Sequence, residues 1–333
     1  MHIVAPPTEK SSSSIMKENN NMIKWISSLR GFFVLFVFIS HFAFMVDKNI
    51  LFTIGKIGVA GFFLISGYLA YISIQQRSFK QFLFNRFVRL YPIYWFLILL
   101  TLLVNGITHQ NDWNYKVILA NLTFFHQYLG FENIIGASWM LSIMVIFFAA
   151  IAIAGKSMKK MFIFFGAFAM GALTLSVLRY YFLKPFPTAI FLMSCIGFLG
   201  FFYRANESRI KKITLPIIFF EVILLVSSYL SYRDMFGYYL LSYNGALGLF
   251  FLMNHFNSDF VLLEKLGALG FTFFLGAEIP RNLIIYLFPT LEQNLTFLAI
   301  HFILCFLFSL LVTKFIERPI LQYAKRIEKE KIT

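Results

Sequence analysis

Long apolar runs, separated by shorter segments carrying lysine, arginine and polar residues, fill the chain from about residue 24 to about residue 315. Their approximate ranges are 24–46, 53–74, 91–104, 139–154, 161–177, 189–203, 213–231, 238–254, 266–279 and 294–315. A helix needs about 20 apolar residues to cross a bilayer core of about 30 Å, so short runs such as 91–104 borrow flanking residues. Barrel strands would alternate apolar and polar positions. These runs are apolar on all sides, which predicts helices. The expected fold is an all-α integral membrane protein of about ten transmembrane helices in one bundle. Residues 1–21 are polar, include the run Ser11 to Ser14 and lack the apolar core of a signal peptide; they read as a disordered cytosolic tail. Residues 22–325 form one membrane domain, and 326–333 a basic cytosolic tail.

Composition agrees with the pattern. Hydrophobic residues make up 59% of the 333 and charged residues 13%, with a mean hydropathy of +0.75. A soluble domain is nearer half apolar and a quarter charged. The charge sets orientation. With the N-terminus inside, the inner segments hold 21 lysines and arginines and the outer segments 7, and Arg30 sits within a helix. The positive-inside preference therefore predicts both termini in the cytosol. It also accounts for the net charge of +14 without a nucleic-acid partner; the partner is the lipid bilayer. Cys195 and Cys305 lie inside apolar runs, so no disulfide framework is implied. No histidine and acidic residues cluster at metal-ligand spacing, so no metal is expected. The longest outer loop, about 105–138, contains His109, Asp112, Trp113, His126 and Glu132. It reads either as a resting place for a sugar or as an interfacial aromatic belt.

Ionisable groups within the membrane carry a free-energy cost and mark functional candidates. Arg30, His41, Glu221 and His301 stand out. Arg30 and His41 are eleven residues apart on the first helix. At about 100° and 1.5 Å per residue they face the same way, about 16 Å apart along the axis. A guanidinium near the inner surface suits phosphates, and a deeper imidazole suits proton transfer. The alternative is an arginine snorkelling to the surface and a histidine in helix packing.

The motifs carry a resemblance. Ser27-Ser28-Leu29-Arg30-Gly31, apolar residues and Ser40-His41-Phe42 resemble the opening of the membrane acyltransferase-3 family, a basic residue, ten residues and a histidine. Gly61-Phe62-Phe63-Leu64-Ile65-Ser66-Gly67-Tyr68-Leu69 is similar to its second-helix FFxxSGFL run. Arg86-Phe87-Val88-Arg89-Leu90-Tyr91-Pro92-Ile93-Tyr94 is similar to RxxRixPxY, and Phe315-Ile316-Glu317-Arg318-Pro319 to the IERP ending. The resemblance spans residues 25–325. It implies His41 as catalytic centre and Arg30 as a donor-site residue, with acetyl-CoA or another acyl-CoA as co-substrate. Arg86 and Arg89, three apart and so on one face of a helix, then read as phosphate holders or as positive-inside anchors. Gly55, Gly58, Gly61, Ser66 and Gly67 read as a small-residue face for close helix approach or as a break in the second helix.

Two positions depart from the family pattern. Ser138-Trp139-Met140-Leu141-Ser142-Ile143-Met144 resembles WsLsvE with Met144 in place of glutamate. Phe274-Leu275-Gly276-Ala277 stands where a Tyr-Leu-x-His run is common, with Glu278 next, read as interfacial. Glu221, about 12 Å into the seventh span, either pairs with His41 or Arg30 as a replacement acid or serves another polar helix group. Trp139 and His301 read as acceptor contacts, with helix packing as the alternative for His301. The resulting expectation is an O-acyltransferase of a bacterial inner membrane. It would move an acyl group, by default acetyl, from cytosolic acyl-CoA to a hydroxyl of a cell-surface or secreted polysaccharide or its precursor. The competing expectation is a polysaccharide export protein that keeps the fold and has lost the chemistry.

Overall fold

A computed structural model describes residues 12–42, 47–108, 113–207, 211–257, 259–291 and 294–330. His109 and Asp112 of the long loop, and residues 1–11 of the N-terminal segment, lie outside the described residues. The described chain is all-helical. In order the helices are α1 (Ser12–Ser40), α2 (Lys48–Gln76), α3 (Phe79–Thr108), α4 (Tyr115–Leu122), α5 (Ser138–Ala154), α6 (Met158–Phe182) and α7 (Thr188–Ala205). They continue with α8 (Lys211–Tyr232), α9 (Phe236–Phe256), α10 (Val261–Ala268), α11 (Gly270–Gly276), α12 (Glu278–Leu287), α13 (Leu295–Val312) and α14 (Arg318–Glu330). Among the described residues six helical stretches are long and apolar enough to cross a membrane; α8 and α9 fall within one of them, Lys211–Phe256. Helix α5 is shorter but equally apolar in character. Large apolar side chains such as Leu99, Leu103, Ile107, Leu215 and Ile303 point outward. Such a surface is stable against lipid and costly against water. The protein is a multi-pass membrane protein.

Helix α2 is the hub, packed against α1, α5, α7 and α9. Its small residues explain why. A Cβ on Gly67 would lie 1.8 Å from the Gly197 carbonyl oxygen, and one on Gly200 would lie 2.1 Å from that of Leu64. Two backbones therefore meet directly at the α2–α7 crossing, which only glycine permits. Ser66 and Gly67 do not break the helix: α2 is continuous from Lys48 to Gln76.

Three boundaries differ from the hydropathy reading. Helix α1 begins at Ser12, inside the segment read as a tail, and ends at Ser40, so His41 stands in the turn just after it. Helix α3 extends to Phe79 and Thr108, absorbing the charged approach to the apolar run. The expected continuous span 266–279 is instead the segmented rod α10–α11–α12. Pro280 explains the second joint. It has no N–H for the Gly276 carbonyl, and its ring crowds that turn, so the axis changes at Ala277. At the other end of the rod, α10 presses on α1: a Cβ on Gly267 would lie 1.8 Å from the Ser27 carbonyl oxygen.

The long loop is folded down as a cap. The Asn121 side chain donates to the carbonyls of Val117 and Glu132, both at 2.9 Å, and accepts from the Ile134 N–H at 3.1 Å. His126 is fully buried, with its Nε2 2.5 Å from Asn133 Oδ1 and 3.2 Å from Ser138 Oγ. It ties the loop to the start of α5 and is a structural residue. Burial lowers its pKa, and the bond to Asn133 opposes that shift only in part.

Candidate active site

Three cavities share lining residues within the bundle. The first, about 300 Å³, is lined by Arg30 from α1, Ser66 from α2, Arg86 and Arg89 from α3, and Met144 from α5. Arg86 and Arg89 thus do share a helix face, and it is turned toward Arg30. Among the described residues none of the three guanidinium groups has a hydrogen bond or an ion pair. Arg86 is held instead by rings, its guanidinium carbon 4.5 Å from the Phe148 centroid and 5.1 Å from that of Phe82, and its buried Nε lacks a partner. Guanidinium groups with free donors on one cavity can hold an anion.

One carboxylate lines this cavity, Glu317. It sits in a π-helical turn, Thr313–Glu317, between α13 and α14. Pro319 follows two residues on, and the widened turn accommodates the missing N–H of that proline. Glu317 Oε2 accepts from Thr272 Oγ1 at 3.0 Å and Thr313 Oγ1 at 3.2 Å. Three cations and one anion leave the cavity formally at +2, a suitable host for a phosphate-rich molecule.

The other two cavities meet at His41. One, about 360 Å³, is lined by His41, Lys48, Lys56, Gly136 and Trp139 among others. The other is narrow, about 50 Å³, and is lined by His41, Ala137, Ala277, Glu278, Arg281 and His301. The exposed surface of His41 opens into both. Ala277, at the joint between α11 and α12, lines the narrow one. Its carbonyl accepts from His301 Nε2 at 2.8 Å. That bond fixes the tautomer, leaving the lone pair on His301 Nδ1, which is buried and unpartnered among the described residues. The rings of Phe38 and Phe42 flank His301, at centroid distances of 5.0 and 5.6 Å. Glu278 turns inward as the first residue of α12 and accepts the Gly136 N–H on Oε2 at 3.1 Å. A Cβ on Gly136 would lie 2.4 Å from Glu278 Oε1, so a side chain there would push the carboxylate aside.

Phe274 of α11 lines all three cavities. It stands between the arginine cavity and the His41 cavities, packed on Phe62 at 5.7 Å between ring centroids.

The family model described as an acyltransferase domain, of acyltransferase-3 type, matches residues 23–314. The chain belongs to this family. It is a membrane acyltransferase, catalysing transfer of a non-aminoacyl acyl group. No curated protein and no solved structure matches the chain. The match runs from within α1 through α13, so the residues lining the three cavities fall within it apart from Glu317 and Leu321.

In this acyltransferase the cavities bring together most of the residues singled out from the sequence: Arg30, Arg86 and Arg89 in one, and His41 with Trp139 and with His301 in the others. Glu221 is not among them. It lies on α8, accepts from Asn244 Nδ2 of α9 at 3.1 Å, and lines none of the three cavities. The expected pairing with His41 or Arg30 is not made, because α8 packs on α6, α7 and α9, away from α1. The acid near His41 is Glu278, which the hydropathy pattern placed at an interface. The signal that would have found it is Pro280, two residues on, which turns the chain at that point. Met144, where the family pattern has glutamate, faces the arginine cavity, its sulfur 3.8 Å from Ser66 Oγ. Ala277, where a histidine is common, contributes its carbonyl to His301. Phe274 entered the sequence reading only as the first residue of the run that departs from Tyr-Leu-x-His, and Lys56 belongs to no motif. Among the described residues no group of three or more histidine, cysteine, aspartate or glutamate side chains could hold a metal ion.

Proposed function

We propose that this acyltransferase moves an acyl group, by default acetyl, from acyl-CoA to a hydroxyl of a polysaccharide or its precursor, in a bacterial inner membrane. The chain would cross the bilayer ten times, counting α10–α12 as one crossing, with both termini in the cytosol. The observation that carries the reading is the convergence of Arg30, Arg86 and Arg89 on one cavity, with His41 across Phe274 from it. In this reading the arginines hold the phosphates of the donor at the cytosolic end. The flexible arm of the donor passes Phe274 and presents its thioester to His41.

His41 then takes the proton of the acceptor hydroxyl as the oxygen attacks the thioester carbonyl. A C–O bond forms, the C–S bond breaks, and the proton passes to the leaving thiolate, so the products are an ester and free coenzyme A. Trp139 offers the acceptor a flat face, and His301 Nδ1 an acceptor for a hydroxyl. Arg281 and the N–H groups near the kink are candidates to balance charge on the carbonyl oxygen. Glu278 would offset the charge on His41 when it is protonated.

The competing expectation, export by a protein that has lost the chemistry, is at odds with membership of the acyltransferase family, although the apolar Met144 lines the arginine cavity. Against it, Phe274 separates two sets of cavities, whereas a conduit for a sugar chain needs a continuous bore. The test is incubation of protein in nanodiscs with carbonyl-labelled acetyl-CoA and a pool of oligosaccharides. Label on glycan oxygen supports transfer. Absence of both label transfer and donor turnover would overturn the acetyl-CoA and glycan assignments.

A further inference from the structure

The larger cavity at His41 has a charge pattern that the transfer chemistry alone does not require. Two lysines line it, Lys48 at the start of α2 and Lys56 two turns further on, and no acidic side chain does. Glu278 faces the narrow cavity together with Arg281, two formal charges of opposite sign, and the lysines remain. Lys56 is partly buried. Its ammonium lies 4.7 Å from the Phe52 ring centroid and 4.4 Å from that of Tyr239, and among the described residues it has no carboxylate partner. Ring faces return part of the desolvation cost of an ammonium, and an anion returns more. Both lysines also belong to the segments read as outer, where the positive-inside preference keeps such residues scarce. Asp47, next to Lys48, is engaged elsewhere: its carboxylate caps α2 through the Asn49 N–H at 2.8 Å.

We propose that the acceptor is an acidic saccharide, one bearing a carboxylate or phosphate, whose negative charge is held by Lys56 and Lys48 while its hydroxyl lies at His41. The inference rests on the acyl-transfer reading for what happens at His41, but the binding preference stands on the lysines alone. At helical rise the two lysines are about 12 Å apart along α2, so they would meet separate charges of a chain with repeating acidic units. Lys56, the less exposed of the pair, would set most of the preference.

The experiment measures binding by calorimetry in nanodiscs of zwitterionic lipid. The probes are a tetragalacturonate, the same oligomer after carboxyl reduction, and a phosphorylated oligosaccharide of equal length. The expected result is that one or both acidic probes bind about tenfold or more tightly than the neutral one, an advantage that shrinks as salt is raised. Which acidic probe binds tells carboxylate from phosphate. Lys56→Gln should remove most of the advantage and Lys56→Arg should keep it, which separates lost charge from lost fold. Equal affinity for acidic and neutral probes would overturn the proposal. So would an acidic preference that survives Lys56→Gln and Lys48→Gln together, or one that appears only for anionic lipid added to the nanodisc. Donor turnover by wild type and His41→Ala, read on the same preparations, tests the transfer reading separately.

Discussion

Arg30 and His41 lie on the same helix and its following turn, yet they open into different cavities, with Phe274 as the wall common to both. That arrangement divides the work of an acyltransferase. In the proposed function, recognition of an anionic donor would fall on one side of the ring and proton transfer on the other.

Phe274 should therefore control coupling. Phe274→Ala joins the two compartments and admits water to the thioester. The expected outcome is donor hydrolysis without acceptor raised by about tenfold, with transfer to glycan reduced. Thiol release, followed with and without acceptor, checks it. An unchanged ratio of hydrolysis to transfer would remove Phe274 from the account.

Arg86 and Arg89 should act on donor affinity. Alanine at either position should raise KM for acyl-CoA by about tenfold while kcat changes less. Lysine at 86 should not restore it, because the planar guanidinium packs between the Phe82 and Phe148 rings. Dephospho-donor analogues, titrated against both variants, identify which phosphate each arginine meets.

The α2–α7 crossing should tolerate no side chain. Gly67→Ala drives a methyl group into the Gly197 carbonyl and should cost about 1–3 kcal/mol or more. Gly106→Ala, with nothing within 4 Å of the added carbon, should be neutral or stabilising by about 0.5–1 kcal/mol. Thermal unfolding of both variants in one detergent decides between them.

His126 makes stability depend on pH. Its folded-state pKa lies below its unfolded value of about 6.5, so the unfolded chain binds more protons as pH falls. The stabilisation is complete above that value and is lost as pH drops through it. The unfolding midpoint should therefore fall between about pH 7.5 and about pH 5.5, and His126→Gln should flatten that slope. An equal slope in both proteins would assign the pH dependence elsewhere.

The sequence was a good guide to the helices and to the arginine cavity, because both follow from local spacing. Arg86 and Arg89 share a face at any three-residue interval of a helix, and the apolar runs declare themselves. The surroundings of His41 were not legible. Glu278 enters the site only because Pro280 turns the chain and Gly136, on a distant loop, accepts its approach. Glu221 looked equally available, and is not, because its helix packs on the far side of the bundle. His126 carried the same residue type as His41 and the opposite role, a difference set by its burial beneath the loop. Contacts between residues far apart in the chain decided each case, and a single sequence holds no record of them.

The most direct test of the central claim is a single-turnover assay with labelled acetyl-CoA and acceptor glycan, comparing wild type, His41→Ala and Glu221→Gln in nanodiscs. The account predicts glycan labelling by wild type and by Glu221→Gln, and its loss by about a hundredfold or more in His41→Ala with donor binding retained. Equal labelling by wild type and His41→Ala would contradict it, and the transfer chemistry would then have to be sought away from His41.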